Sequence, residues 1–457
     1  MNSCIIKVYQ YLEGDGVKKY KIQTINEVFV PYGGLAMAGL MIHKTALPLR
    51  ASSLKVPASR VKISNADILS AYIGLLCQGR NDFDHMDIFR DEPFFMDSLQ
   101  LKTIPSSATL RQRLEQLSAD EKACPMVMEE SAVMIQRMKG SLTPCYEKLV
   151  ALDIDVSVFD NSGSHKEGIE LTYQKVDGYA PIFAYLGEEG YCVGASLRKG
   201  SDHSQKDAPA FIQESIRICR RINPAQELLL RADSAHDSAD TLNICHDEQV
   251  QYLIKRNPRK ESPEDWLSLA KDQGIETIPR EGKKVYTGSL KTFNPDINQE
   301  LRLVYQITET TVATNGQLYL IPDINIDTWW TSLTAPEETV IKLYHQHATS
   351  EQFHSELKTD LDLERLPSGK FTTNQLILTL GAFTYNLLRL IGLETLKKDD
   401  APISRKNQRR RIKTVIKNMI YLAVRLVNHA RSVFLKFSRY CRWFTTFNRV
   451  YEAFYTY

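Results

Sequence analysis

The run from Tyr344 to Lys358, YHQHATSEQFHSELK, carries Tyr344, His347, Glu351 and Lys358 at spacings of three, four and seven residues. At about 100° per residue, an α-helix would put all four within roughly 60° of one another. A carboxylate flanked by a phenol, an imidazole and an ammonium suits a bound phosphodiester. Two more carboxylates end apolar runs, Asp155 in LVALDIDVSVF and Asp233 in ELLLRADS. An acid at the end of a buried strand needs a cation, a metal or solvent. Two such aspartates and one helical glutamate can cage hard divalent cations, the usual basis of two-metal phosphodiester chemistry. Strand alternation puts Asp153 and Ser157 on the Asp155 face, so the residues alone leave either aspartate as the ligand. Glu356 lies roughly 140° round a helix from Glu351, a poor position for the same site. His345, His347 and His354 raise the question of zinc, but no HExxH or other zinc spacing occurs.

The elements that must position these groups follow from pattern. KLVALDIDVSVF reads as a buried strand, YAPIFAYLGEEGYCVGASLRKG as two strands around a glycine turn, and ELLLRADS and QYLIKRNP as two more. Helices are expected over 207–221 and in SADTLNICHDEQ, which gives α/β ordering. Residues 257–333 alternate β-branched and polar residues and read as a mostly β insertion. Helices resume at Ala335 and are expected to dominate to the end, with a linker at LKKDDAPISRK and an apolar helical stripe in VIKNMIYLAVRLVNHARSVFL. Near the start, Ser106 or Ser107 can cap ATLRQRLEQL. Its stripe is Leu110, Leu114 and Leu117, with Arg111 and Arg113 read as solvated. The pattern divides the chain into 1–145, of mixed strand-like and helical runs; 146–256; 257–333, the insertion; 334–395; and 396–457, a basic helical region.

The 457-residue chain has a net charge of +2, which hides an asymmetry. Arg405 to Val450 holds 13 Lys and Arg and no acid, and subtracting those leaves −11 for the rest. Such a basic segment suits a polyanion partner. The eight cysteines, Cys4, Cys77, Cys124, Cys145, Cys192, Cys219, Cys245 and Cys441, form no CxxC pair, so neither a zinc finger nor a disulfide framework is expected. They fit a reducing cytoplasm. MNSCIIKVYQYLEGDG lacks the pattern of a signal peptide. The longest apolar stretch, LILTLGAFTYNLLRLIGL, carries Asn386 and Arg389 and reads as a buried helix rather than a membrane span.

On these residues the chain resembles bacterial insertion-sequence transposases of the DDE class, the group with an RNase H-like core. DIDVS resembles the first-aspartate motif and favours Asp155 over Asp153. LLLRADS resembles the second and selects Asp233. YHQHATSEQFHSELK is similar to the group's Tyr-x2-Arg-x3-Glu-x6-Lys signature and selects Glu351, and LERLPSGKFTTNQLILTLGAFTYNLLR to the helix beyond it. The likeness covers roughly residues 100–450. His347 stands where the signature has arginine, and imidazole is the weaker phosphate ligand.

The resemblance implies α/β architecture: an RNase H-like core in two parts, 146–256 and 334–395, around the β insertion, with a helix-rich N-terminal region, 1–145, for binding DNA ends or dimerisation, and a basic helical C-terminal region. It implies two Mg²⁺ ions, replaceable by Mn²⁺, on Asp155, Asp233 and Glu351. It also implies binding of terminal inverted repeats, strand cleavage and strand transfer by a cut-and-paste route, with a DNA hairpin as one way out. The partners are then double-stranded element ends and target DNA, held by a homodimer at the bacterial nucleoid, with no membrane. Expected DNA contacts are Tyr344, His347, Lys358, Lys255, Arg256, Arg409, Arg410 and Arg411, with Trp329 and Trp330 as a platform for a flipped base. A metal-dependent nuclease without strand transfer and a non-catalytic DNA-binding descendant are the rival readings.

Overall fold

The computed structural model describes residues 20–55, 63–295, 297–403, 408–429 and 432–457. The N-terminal run read for a leader, Cys4, and Arg405, Lys406 and Arg431 of the basic segment lie outside them.

A nine-stranded mixed sheet organises the chain. Its centre is three parallel strands, Val150–Val156, Leu228–Ala232 and Gln251–Arg256, in that spatial order. These runs are largely apolar because both sheet faces are covered, and their few charged residues need partners. Leu228, Leu230, Val150, Leu152 and Ile154 belong to the main core on one face. Leu229 and Leu253 belong to a second core on the other face, with Trp329, Val340 and Leu343. The expected hairpin, Ile182–Leu186 with Tyr191–Ser196, adds two antiparallel strands beside Val150–Val156.

Residues 257–333 begin with a helix, Pro263–Gln273, capped by Ser262. Four strands follow, Ile275–Arg280, Lys283–Asn294, Gln299–Val312 and Leu318–Thr331. The last pairs with Gln251–Arg256, so these strands extend the same sheet.

The helix Phe371–Glu394 is the one described helix long and apolar enough to cross a membrane, but 94% of its most apolar window is buried in the protein. Asn386 and Arg389, the two polar residues singled out in its apolar stretch, are both partnered. Asn386 accepts from the Cys192 amide at 2.8 Å and donates to the Cys192 carbonyl at 2.7 Å, closing the backbone of an edge strand. Arg389, wholly buried, pairs with Glu356 and donates to the Arg410 carbonyl at 2.7 Å.

Two expectations are corrected. Residues 424–429 and 432–437 form no helix: Val424–His429 and Ser432–Phe437 pair as antiparallel strands, and the first also pairs with Val28–Val30 in a separate three-stranded sheet. VRLVNH and SVFLKF are rich in β-branched and aromatic residues, and a distant edge strand completes them. Arg113 is buried rather than solvated, bonded to Asn65 and, at 3.1 Å, to Gln116. Ser106 is the cap of its helix, accepting from the Thr109 amide.

Candidate active site

Parallel pairing of Val150–Val156 with Leu228–Ala232 aligns Ile154 with Ala232, so Asp155 and Asp233 are next neighbours at the carboxyl ends of adjacent strands. Strands in a sheet lie about 4.8 Å apart. Two carboxylates are thereby forced close, and their charges bear on each other. The Asp233 carboxyl is raised above its ordinary value, by burial first and then by the charge on Asp155. Its side chain is still 46% exposed, with one oxygen accepting from the Ala235 amide at 3.1 Å.

Asp155 is more deeply held. Its Oδ1 accepts from the Val156 amide at 2.8 Å, and its Oδ2 accepts from the Ser350 hydroxyl at 2.9 Å and meets His354 Nε2 at 3.0 Å. Tyr185 meets the other ring nitrogen of His354 at 3.1 Å. Burial pushes the Asp155 carboxyl up. The His354 bond and charge, the charge on His347 and the Ser350 bond outweigh it and hold the group at about 2.

Asp153 has a different task. It forms a bidentate pair with Arg231 at 2.6 and 2.8 Å and meets His347 Nδ1 at 3.1 Å, all inside the protein. Its face is the Asp155 face, as alternation requires, but it is only 2% exposed and neutralises a buried arginine. We predict that Asp153→Asn costs about 3–5 kcal/mol of stability by leaving Arg231 buried and uncompensated, read as the loss of urea midpoint. A variant as stable as wild type would show the pair to be dispensable.

The segment facing the aspartates is not one α-helix. After Glu337–His345 come a 3₁₀ turn over Gln346–Thr349, an α segment Ser350–Ser355 and a wider π turn over Glu356–Asp360. These changes of pitch break the expected common face of Tyr344, His347, Glu351 and Lys358. His347 is buried, with Nδ1 3.1 Å from Asp153. Tyr344 packs on Trp329 with ring centres 5.6 Å apart; its phenol is raised by burial and then by the charges of Asp233 and Asp155. Lys358 lies 3.6 Å from Glu364 and over the Phe159 ring.

Glu351 is exposed and lines a cavity of about 1000 Å³ with Arg231, Gln352, Arg409 and Arg411. Among the described residues no three His, Cys, Asp or Glu side chains form a metal cage. The two aspartates fit a divalent cation, as adjacent and mutually repelling carboxylates. Glu351 stands apart from them in this conformation. Glu356 is no substitute, being buried and paired with Arg389 and Arg409.

Of the other expected DNA contacts, three are corrected. Trp329 and Trp330 are both buried, and Arg256 covers the Trp330 ring at 5.4 Å, so neither presents a free face to a base. Arg410 is buried, bonded to Thr395 at 2.7 Å and stacked on Trp443. Lys255 pairs with Asp327, Arg256 with Glu261, Arg409 with Glu356 and Arg411 with Asp360. Sequence reasoning missed Arg231, Ser350 and Tyr185, and weighed His354 only as a zinc ligand. Arg231 carried a signal, because an arginine inside a leucine-rich strand needs a buried acid, and Asp153 was at hand.

No curated protein matches the chain. A solved structure described as a piggyBac transposase synaptic complex with hairpin DNA resembles it at 13% identity, covering 86% of this chain and 80% of that one, with a TM-score of 0.40. That likeness is too loose to carry an argument. The sequence pattern of the family described as transposase DDE domain group 1 matches residues 48–456, nearly the whole length, and the chain belongs to that family.

Proposed function

We propose that this protein is the DNA transposase of an insertion sequence, which binds terminal inverted repeats, cleaves at the element boundary and joins the freed ends to target DNA. Residues 146–256 and 334–395 form its RNase H-like core. The observation that carries the reading is the strand register that sets Asp155 beside Asp233 at the sheet's carboxyl edge. Asp155 and Asp233 are the residues that would hold divalent cations. Glu351 is assigned as the third carboxylate by its place in the family motif, one residue beyond Ser350, whose hydroxyl already touches Asp155. Bound Mg²⁺ supplies an activated nucleophile and a stabilised leaving oxygen.

The chain's own groups do the rest. The Val156 amide, Ser350 and His354 fix Asp155 in its ionised form. Asp153, Arg231 and His347 brace the strand ends against the facing segment from below. Tyr344, beside both aspartates, can hydrogen-bond a phosphate oxygen. Lys255, Arg256, Lys358, Arg409 and Arg411 supply cationic surface on double-stranded DNA. Each of the five is ion-paired, so phosphates compete with protein carboxylates for them, and affinity should fall steeply with salt. Two element ends require two copies of the site, which makes a homodimer the expected assembly.

The test is Glu351→Gln against wild type on labelled duplex carrying the element's own end. Mg²⁺-dependent cleavage at the boundary, lost in the variant with binding kept, supports the reading. Cleavage undiminished in the variant removes Glu351 from the site. Binding without cleavage by wild type would turn the reading toward a non-catalytic descendant.

A further inference from the structure

The small sheet at the far end of the chain has one face that the catalytic reading does not use. Its strands run in the order Val28–Val30, Val424–His429, Ser432–Phe437. One face packs inward through Val30, Val424 and Phe437, the last against Phe447 with ring centres 5.1 Å apart. On the other face the register sets Phe29, Arg425 and Lys436 side by side across all three strands. Val427 and Phe434 form the next pair on that face. Phe29 is 59% exposed and Phe434 46%. Their positions on the outer strands, two residues apart in register, put them roughly 12 Å from each other. Arg425 shares its charge with Glu27 at 2.7 Å, and Lys436 has no acidic partner among the described residues. Just beyond, Arg439 stacks over Tyr440, which is also well exposed.

Exposed phenyls alternating with cations on a flat sheet are costly unless something covers them. A second copy is a poor cover. A two-fold contact would bring this face, which carries Arg425 and Lys436 against a single nearby acid, Glu27, onto a second face of the same net positive charge. The chemistry that satisfies both residue types is a strand with a repeated negative charge and free aromatic faces. Duplex DNA offers the charge but keeps its bases stacked inside. We propose that this face, Phe29, Phe434, Arg425 and Lys436, binds unpaired DNA, the phenyls stacking on bases and the cations meeting phosphates. The proposal rests on DNA being the protein's partner, and it names a strand-separated segment as what this surface takes.

Binding of a labelled single-stranded oligonucleotide to the full-length protein, followed by fluorescence anisotropy, tests it. The Phe29→Ser/Phe434→Ser double variant should bind single strands about 10- to 100-fold more weakly and duplex of the same sequence as well as wild type does. Phe434→Trp should keep the affinity, and its added emission should be quenched as single strand binds. An equal loss on duplex and single strand overturns the stacking role, as does no loss on either. Self-association abolished by the double variant in sedimentation would reassign the face to a contact between copies. Tight binding to anionic phosphatidylglycerol vesicles, lost with the phenyls while DNA binding persists, would overturn it in favour of lipid. If wild type binds single strands through this face yet never cleaves an element end, the inference stands and the transposase reading falls.

Discussion

Asp233→Asn should abolish Mg²⁺-dependent cleavage and at the same time raise the thermal stability of the metal-free protein. The loss of activity, on the order of 10³-fold or more, follows from removing a cation ligand worth several kcal/mol in the transition state. The gain in stability follows from electrostatics. The Asp233 carboxyl is pushed up, by burial and by its neighbour Asp155, so its charged form opposes folding. That penalty is present above its raised pKa and is relieved as pH falls. Asparagine removes the charge and can still accept from the Ala235 amide. Asp155→Asn should lose cleavage equally and move stability the other way. Its carboxyl is held at about 2 by His354, His347 and Ser350 against the cost of burial. The stability it contributes is present above the ordinary carboxylate value of 3.8 and is lost as pH falls toward 2. Melting curves in EDTA and cleavage of an end-bearing duplex decide the matter. Shifts of the same sign in both variants would show that the aspartates are not coupled as described. Retained cleavage in either would remove that residue from the site.

Glu356→Leu should destabilise the protein by about 3–5 kcal/mol, because it strands a buried arginine without a counter-charge. Arg389 is wholly inside the protein on the central helix, and Glu356 is its acidic partner; Arg409 joins the same carboxylate. The Glu356→Leu/Arg389→Met double variant should recover part of the loss, since a packed apolar pair can replace a buried ion pair. Urea titration reads both. By contrast Glu351→Gln, on an exposed side chain, should move stability by no more than about 0.5 kcal/mol. The two glutamates, five residues apart, are thus separated by experiment: Glu356 fastens the segment to the core, and Glu351, the third carboxylate of the proposed site, does not. Equal destabilisation by the two substitutions would contradict that division. So would a double variant less stable than either single one.

Strand ends were legible in the sequence because they depend on local pattern. An apolar run that stops at Asp155, and another at Asp233, can only be buried strands whose last residue meets solvent or a cation. The hairpin over 182–196 and the helix capped by Ser106 were legible for the same reason. The pairing of Asp153 with Arg231 was half-visible, as two charges in buried runs, but alternation alone could not say which aspartate would be spent on structure.

The tertiary structure decided what pattern could not. Uniform helix geometry predicts one face for Tyr344, His347, Glu351 and Lys358. The 3₁₀ and π turns break it, because Asp153, Asp155 and Arg389 each draw a different side chain of the segment inward. Trp329 and Trp330 end up covered because the insertion's last strand joins the main sheet instead of standing free. The antiparallel pair of 424–429 and 432–437 exists because an edge strand from the opposite end of the chain completes it. The sequence by itself therefore determined the family and the positions of the two aspartates. Which face each flanking side chain shows was decided by partners from 33 to 199 residues away, since a few buried charges, once paired, outweigh the weak local preference of the segment that carries them.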